Sequence, residues 1–160
     1  MKFTKHLIAS AVLLATSSIA IAATDSTTIE INVTKDAYVN LVGSLSGNAV
    51  APLALADVND TTTTLGTLGF ESNTTGSCTV TFASANNYKL VHATDGALNL
   101  GDYSITYAGV TNSAASAGNN YVAATCNEAA ANMTMTSPAL PAVVIAGTYS
   151  DTITVEIATQ

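Results

Sequence analysis

The residues best suited to covalent chemistry in this chain are its two cysteines, Cys78 and Cys126. In an oxidising compartment such a lone pair reads first as an intramolecular disulfide, with a metal pair or an intermolecular bridge as alternatives. A bridge would close a loop of about fifty residues and stabilise the fold by roughly 4 kcal/mol in the chain-entropy view. No histidine stands close to either cysteine, which favours the bridge over a metal pair. Past residue 22 there is one histidine, His92, and the chain has no arginine. His92 has no acid and nucleophile spaced to make a triad, so a solvated strand-end role is expected. Asp57, Asn59 and Asp60 could offer oxygen ligands to calcium, but the glycine and distal glutamate of an EF-hand loop are missing, and a polar turn is expected. Tyr103, Tyr107, Tyr121 and Tyr149 could build a sugar-stacking platform. Tyr103 and Tyr107 share a face with Ile105 between them, and aromatics are scarce, so core packing is the expected role. Asn32, Asn59, Asn73 and Asn132 each open an Asn-x-Thr triplet, a pattern expected by chance in so threonine-rich a chain. Glycine-rich phosphate loops and zinc-like spacings are lacking. The expectation is a non-enzyme without metal or cofactor.

The elements that would position these residues are strands. Thr27–Thr34 (TTIEINVT) alternates strictly, with Ile29, Ile31 and Val33 on one face and Thr28, Glu30 and Asn32 on the other. Thr152–Ala158 does the same, with Ile153, Val155 and Ile157 directed inward. A chain that begins and ends on strong strands is a candidate for polymerisation by strand exchange, since a strand at a terminus needs a sheet to join.

Residues 1–22 read as a secretory signal: Lys2 and Lys5 precede the apolar run Leu7–Ala15, and Ala20-Ile21-Ala22 is an A-x-A cleavage site. The run is too short for a membrane span, and no later segment is long and apolar enough for one. Cleavage would remove two of the four lysines and none of the eleven acids, taking the net charge from −7 to −9. So acidic a chain excludes nucleic acid and anionic membrane surfaces as partners. Export to an oxidising compartment is expected.

After residue 22 helical periodicity is absent, and short apolar or alternating runs are punctuated by Gly, Asn, Asp and Ser. This predicts an all-β sandwich of one domain, residues 35–160, preceded by an extension, residues 23–34. Strands are expected at Ala37–Val42, Ala51–Ala56, Leu65–Phe70, Cys78–Ala83, Tyr88–Val91, Leu98–Leu100, Tyr103–Tyr107 and Tyr121–Cys126. Ser46-Gly47-Asn48 should turn the chain between the first two, and Asp95-Gly96 should turn a hairpin. Asn112–Asn120 reads as a loop. Ala129–Ala131 could seed a helical turn, though in a β context, and Pro138 and Pro141 bracket a connection.

Residues Ile29–Ala49 (IEINVTKDAYVNLVGSLSGNA) resemble the N-terminal portion of the colonisation-factor, or alpha-fimbrial, class of chaperone–usher major pilins. The shared features are an alternating strand, a kink at Asp36, and a second strand carrying Val39 and Leu41 that runs into a Gly-Asn turn. The closing run from Ala146 (AGTYSDTITVEI) is similar to that of the same class and of spore-coat-U-like pilins, and YSITYAG, from Tyr103, resembles its mid-chain strand pair. The two terminal matches cover about a quarter of the chain past the signal. The class has cysteine-free major subunits, and Cys78 and Cys126 are a departure from it. The resemblance implies an immunoglobulin-like antiparallel sandwich that is incomplete and is completed by a donor strand from a neighbouring subunit. It implies a fimbrial structural subunit, exported through the periplasm to the cell surface and supporting adhesion or biofilm formation, with further copies of itself, a periplasmic chaperone, an outer-membrane usher and a tip adhesin as partners. Residues 27–34 would be the donor, with Ile29, Ile31 and Val33 as knobs. The run from Tyr149 through Ile153, Val155 and Ile157 would line the acceptor groove and face the chaperone. The rival expectation is a self-complete carbohydrate-binding sandwich, a secreted lectin or tip adhesin.

Overall fold

A computed structural model describes residues 30–160; the expected signal peptide and Ile29 lie outside them. The chain divides into two units at Thr34/Lys35. Of the first unit, residues 30–34 are described. They form no strand, their Ile31 and Val33 are 82% and 89% exposed, and the Asn32 side-chain amide donates to Glu30 Oε1 at 3.2 Å.

The second unit is an antiparallel β-sandwich. One layer is a five-stranded sheet of β1 (Val39–Val42), β2 (Thr62–Ser72), β6 (Ser104–Tyr107), β7 (Val110–Ser113) and β9 (Glu128–Thr136), ordered β1-β2-β9-β6-β7. The other layer holds β3 (Cys78–Ser84), β4 (Lys89–His92), β5 (Asp95–Asp102), β8 (Tyr121–Ala123), β10 (Tyr149–Ser150) and β11 (Ile153–Thr159), ordered β11-β3-β8 and β10-β4-β5. β3 passes into β4 across residues 85–88, and the C-terminal chain runs antiparallel beside both. Asn87 and Tyr88 take φ of 53° and 59° there, a left-handed pair that makes the strand jog. Sheet pleating puts Leu68 and Phe70, Val80 and Phe82, Ile105 and Tyr107, and Met133 and Met135 between the layers, all buried. Polar neighbours alternate with them on the solvent side, the period the sequence displays.

The cysteines are joined. The Cys78–Cys126 disulfide, with Cα atoms 5.0 Å apart, ties the start of β3 to the chain between β8 and β9, and both residues are buried. Beside it the Cys126 N–H donates to the Gly76 carbonyl at 3.1 Å. Gly69 marks the closest approach within the large sheet. A side chain there would come within 2.7 Å of the Ala130 backbone, at the irregular step between Leu68 and Phe70.

Several elements differ from the sequence expectation. Ala51–Ala56 forms no strand. Pro52 lacks an N–H, no strand lies alongside among the described residues, and the chain instead enters a 3-10 turn at Leu55–Val58. That turn is fixed by the Asp57 carboxylate, which accepts from the Ala54 N–H at 2.8 Å. The β4–β5 hairpin turns at Ala93-Thr94, so Asp95 and Gly96 already belong to β5. The expected loop at Asn112–Asn120 begins inside β7, where Asn112 is buried opposite Ile105. The expected strand Tyr121–Cys126 ends at Ala123, because the chain turns there to bring Cys126 onto Cys78. β2 starts three residues earlier than Leu65 and absorbs most of the threonine run. Ala129–Ala131 lies within β9.

Candidate functional site

β1 and β11 are terminal strands of their layers, each paired on one side only among the described residues, with β2 and β3 respectively. They approach one another without sharing a hydrogen-bonded register. A groove of about 1030 Å³ opens beside them. Leu41 lines it from β1, Ile153 and Val155 from β11, Met133 and Met135 from β9, and Leu90 and Leu100 from the opposite layer. Leu45, Leu53, Leu55, Val58 and Leu65 add to the apolar wall. Residues 47–54 run along this wall as a strap. The backbone of residues 47–53 makes no hydrogen bond among the described residues, and Val50 is 86% exposed.

The outer wall behaves as its sequence dictates. Ile153, Val155 and Ile157 are partly buried against the core, and Thr154, Glu156 and Ala158 point to solvent. Ile153 and Val155 line the groove; Ile157 packs against the core beyond the lining. Tyr149 lines the far end, its hydroxyl donating to the Ile145 carbonyl at 2.9 Å and its ring edge-on to His92, with centroids 5.0 Å apart. At the opposite end of the strand, Gln160 N–H donates to the Ser77 carbonyl at 2.9 Å.

One polar node sits in the wall. Asp151 occupies the break between β10 and β11 and accepts four hydrogen bonds. Tyr103 Oη and Ser84 Oγ donate to its Oδ2 at 2.5 Å each, and the N–H groups of Asn86 and Thr152 donate to its Oδ1 at 3.0 and 2.7 Å. Ser84 Oγ in turn accepts from the Tyr88 N–H at 2.6 Å and the Asn86 N–H at 3.2 Å. The node thus staples the β3–β4 jog to the C-terminal strand. Burial, followed by the hydrogen bond to the Asp151 carboxylate, pushes the Tyr103 hydroxyl well above the ordinary tyrosine range. Sequence reasoning passed over Asp151. Its signal was a lone acid interrupting an apolar alternation, at the point where the final strand changes partner.

At Asp36, where a kink is expected, Asn73 holds the chain. Its side-chain amide donates to the Asp36 carbonyl at 2.8 Å, and its Oδ1 accepts from the Tyr38 N–H at 2.7 Å. Asn73 had stood out only as a glycosylation triplet. The four tyrosines do not form a platform. Tyr103 and Tyr107 are buried, Tyr107 packs edge-on to Tyr121 at 5.5 Å, and Tyr149 is apart at the groove end. Tyr121 Oη donates to both Glu128 carboxylate oxygens, at 2.9 and 2.8 Å; burial and this carboxylate push its hydroxyl up to about 12. The side-chain oxygens of Asp57 and Asn59 accept from the N–H groups of Ala54 and Leu140, and Asp60 N–H donates to the Pro138 carbonyl. His92 Nε2 lies 3.2 Å from the Ala146 carbonyl oxygen, tying the end of β4 to the chain before β10.

No protein-family model matches the chain, and no curated protein matches it. The functional reading therefore rests on the groove and on the sequence that could fill it.

Proposed function

We propose that this chain is a structural subunit of a bacterial surface fimbria, polymerised by insertion of residues 27–34 of one copy into the groove of the next. The observation that carries the reading is the groove itself: an apolar trough bounded by two strand edges that are unpaired on that side among the described residues. An added strand would pair with those edges and fill the trough with alternate side chains. Residues 27–34 have the matching pattern and length. Eight extended residues span about 27 Å and the seven of β11 about 24 Å. Ile29, Ile31 and Val33 would each gain roughly 1.5–3 kcal/mol on burial, about 5–9 kcal/mol together before ordering costs. The buried disulfide suits an oxidising export route. Before polymerisation an exposed edge flanked by apolar surface needs protection, the office of a periplasmic chaperone, and delivery to an outer-membrane usher.

The test is the unheated SDS ladder of the exported chain, read with electron microscopy of fibres. Ile31→Asp should abolish both, because it puts an unpaired carboxylate into an apolar groove. Glu30→Gln should leave both intact. Normal fibres from Ile31→Asp would end the donor-strand reading.

A further inference from the structure

The outer face of the large sheet carries a regular array of hydroxyls. Strand register places Thr62, Thr136, Ser104 and Ser113 in one row across β2, β9, β6 and β7, and Thr64, Thr134, Thr106 and Thr111 in the next. The buried residues Met133, Met135, Ile105 and Asn112 alternate with them, so all eight hydroxyl-bearing side chains share the solvent face. Thr62 and Thr136 hydroxyls meet at 2.9 Å, as do those of Thr106 and Thr111. No charged residue stands on these two rows, although the chain as a whole carries eleven acids against four lysines.

We infer that this face is a lateral contact between copies of the chain, through which polymerised fibres associate side by side. The inference rests on the fimbrial reading above but uses a different surface. β6 and β7 lie at the edge of the sheet opposite β1 and the groove. Charge selects the occupant. Two copies of so acidic a chain repel wherever their carboxylates meet, and the hydroxyl rows are a face where they can approach without that repulsion. The chemistry is also self-complementary. A threonine hydroxyl both donates and accepts, so identical rows can pair across a two-fold axis, which rows of carboxylates could not do. No tyrosine or phenylalanine stands on the rows, so a sugar ring would find no stacking surface. Size decides where the contact acts. The array measures about 14 Å across the strands and about 7 Å along them, well short of the roughly 800 Å² per partner of a stable dimer. Single subunits stay apart, and fibres presenting many copies associate through summed weak contacts.

The experiment compares fibres of the full exported chain with fibres carrying Thr106→Glu and Thr134→Glu together, and with a control carrying Ala124→Glu on an exposed position elsewhere. Low-speed co-sedimentation and electron microscopy read bundling, and the unheated SDS ladder reads polymerisation. Wild-type and Ala124→Glu fibres should sediment as bundles; the double variant should keep its ladder and lose at least tenfold in bundled mass. Should the double variant fail to fold, Thr111→Glu on the edge strand β7 replaces it, with a severalfold loss expected. A double variant that bundles like wild type, or wild-type fibres that stay single, overturns the inference while the ladder upholds polymerisation. Absence of any ladder overturns both. Single wild-type fibres that instead bind a neutral glycan surface, with the binding lost in the double variant, would reassign the face to a sugar and refute the contact between copies.

Discussion

Asp151 offers the sharpest test of how the groove wall is built. Its carboxylate is an acceptor-only group facing four donors. In Asp151→Asn one of the two oxygens becomes an amide that itself donates. The amide cannot face the N–H groups of Asn86 and Thr152, which have no capacity to accept. It must turn toward Tyr103 Oη and Ser84 Oγ. Ser84 Oγ already accepts from two N–H groups, so its own proton is left without a partner. Two bonds to a charged acceptor are lost, at about 1.5–3 kcal/mol each, and one neutral bond worth about 1 kcal/mol is regained. Asp151 is only half-buried, so solvent recovers part of the loss. The expected cost is about 2–3 kcal/mol, a melting temperature lower by roughly 8–12 °C for a domain of this size. Tyr103→Phe alone should cost about 1–1.5 kcal/mol. The double variant should fall short of the sum, because the two groups share one bond. Thermal and urea unfolding of the purified chain provide the measurement. An Asp151→Asn protein that melts with wild type would refute the node as a staple, as would strict additivity with Tyr103→Phe.

Replacing both Cys78 and Cys126 by Ala should cost about 2–5 kcal/mol and reduce fibre yield, measured by urea unfolding and by ladder intensity; reduction of the wild type should raise the intact mass by two hydrogens and cause the same loss. Val155→Asp should block the ladder as Ile31→Asp does, because Val155 faces the groove, whereas Thr154→Asp on the exposed side should leave it intact. Deleting residues 153–160 should leave an unstable chain at depleted levels in an immunoblot, since it removes both a groove wall and, among the described residues, the only strand paired to that side of β3. Stability should fall as pH rises above about 10, the ordinary tyrosine value. Tyr88, Tyr103, Tyr107 and Tyr121 all have raised hydroxyls, so the unfolded chain loses protons there while the folded chain keeps them. For Tyr121 the stabilisation is whole below pH 10 and is lost between there and about 12, which Tyr121→Phe should flatten in melting curves taken across that range.

Period-two alternation made most of the sandwich legible, because each strand has one buried and one wet face. β3, β6 and β11 stand within a residue or so of their expected spans, with Ile153, Val155 and Ile157 inward. What failed was pairing. Ala51–Ala56 has strand-like sequence, yet a strand exists only where a neighbour accepts its hydrogen bonds, and sequence does not say which neighbours are present. β7 was missed for the converse reason: Val110–Ser113 looks like the start of a small-residue loop, and pairing with β6 draws it into the sheet. The groove was half legible. Its β11 wall could be read directly, but Leu41, Met133 and Met135 converge on it from three separate stretches of chain. Asp151 and Asn73 were illegible as staples, since a polar residue at a strand break looks the same whether it binds water or four distant donors.

The pairing of β11 with β3 has a kinetic consequence. Ile153 lies opposite Ser84 and Thr159 opposite Cys78, so β3 waits for a partner encoded 69 to 81 positions later. Synthesis proceeds from the N-terminus, so β3 emerges long before that partner does. Until the last residues arrive, the core under Val80 and Phe82 stays open and the Asp151 staple cannot form. Long-range closure of this kind folds slowly and leaves strand edges uncovered meanwhile. A nascent copy therefore spends its most aggregation-prone interval beside other nascent copies, each with an unfilled trough and an alternating N-terminal segment. The same geometry that would let mature copies join makes premature joining the main hazard of its biogenesis.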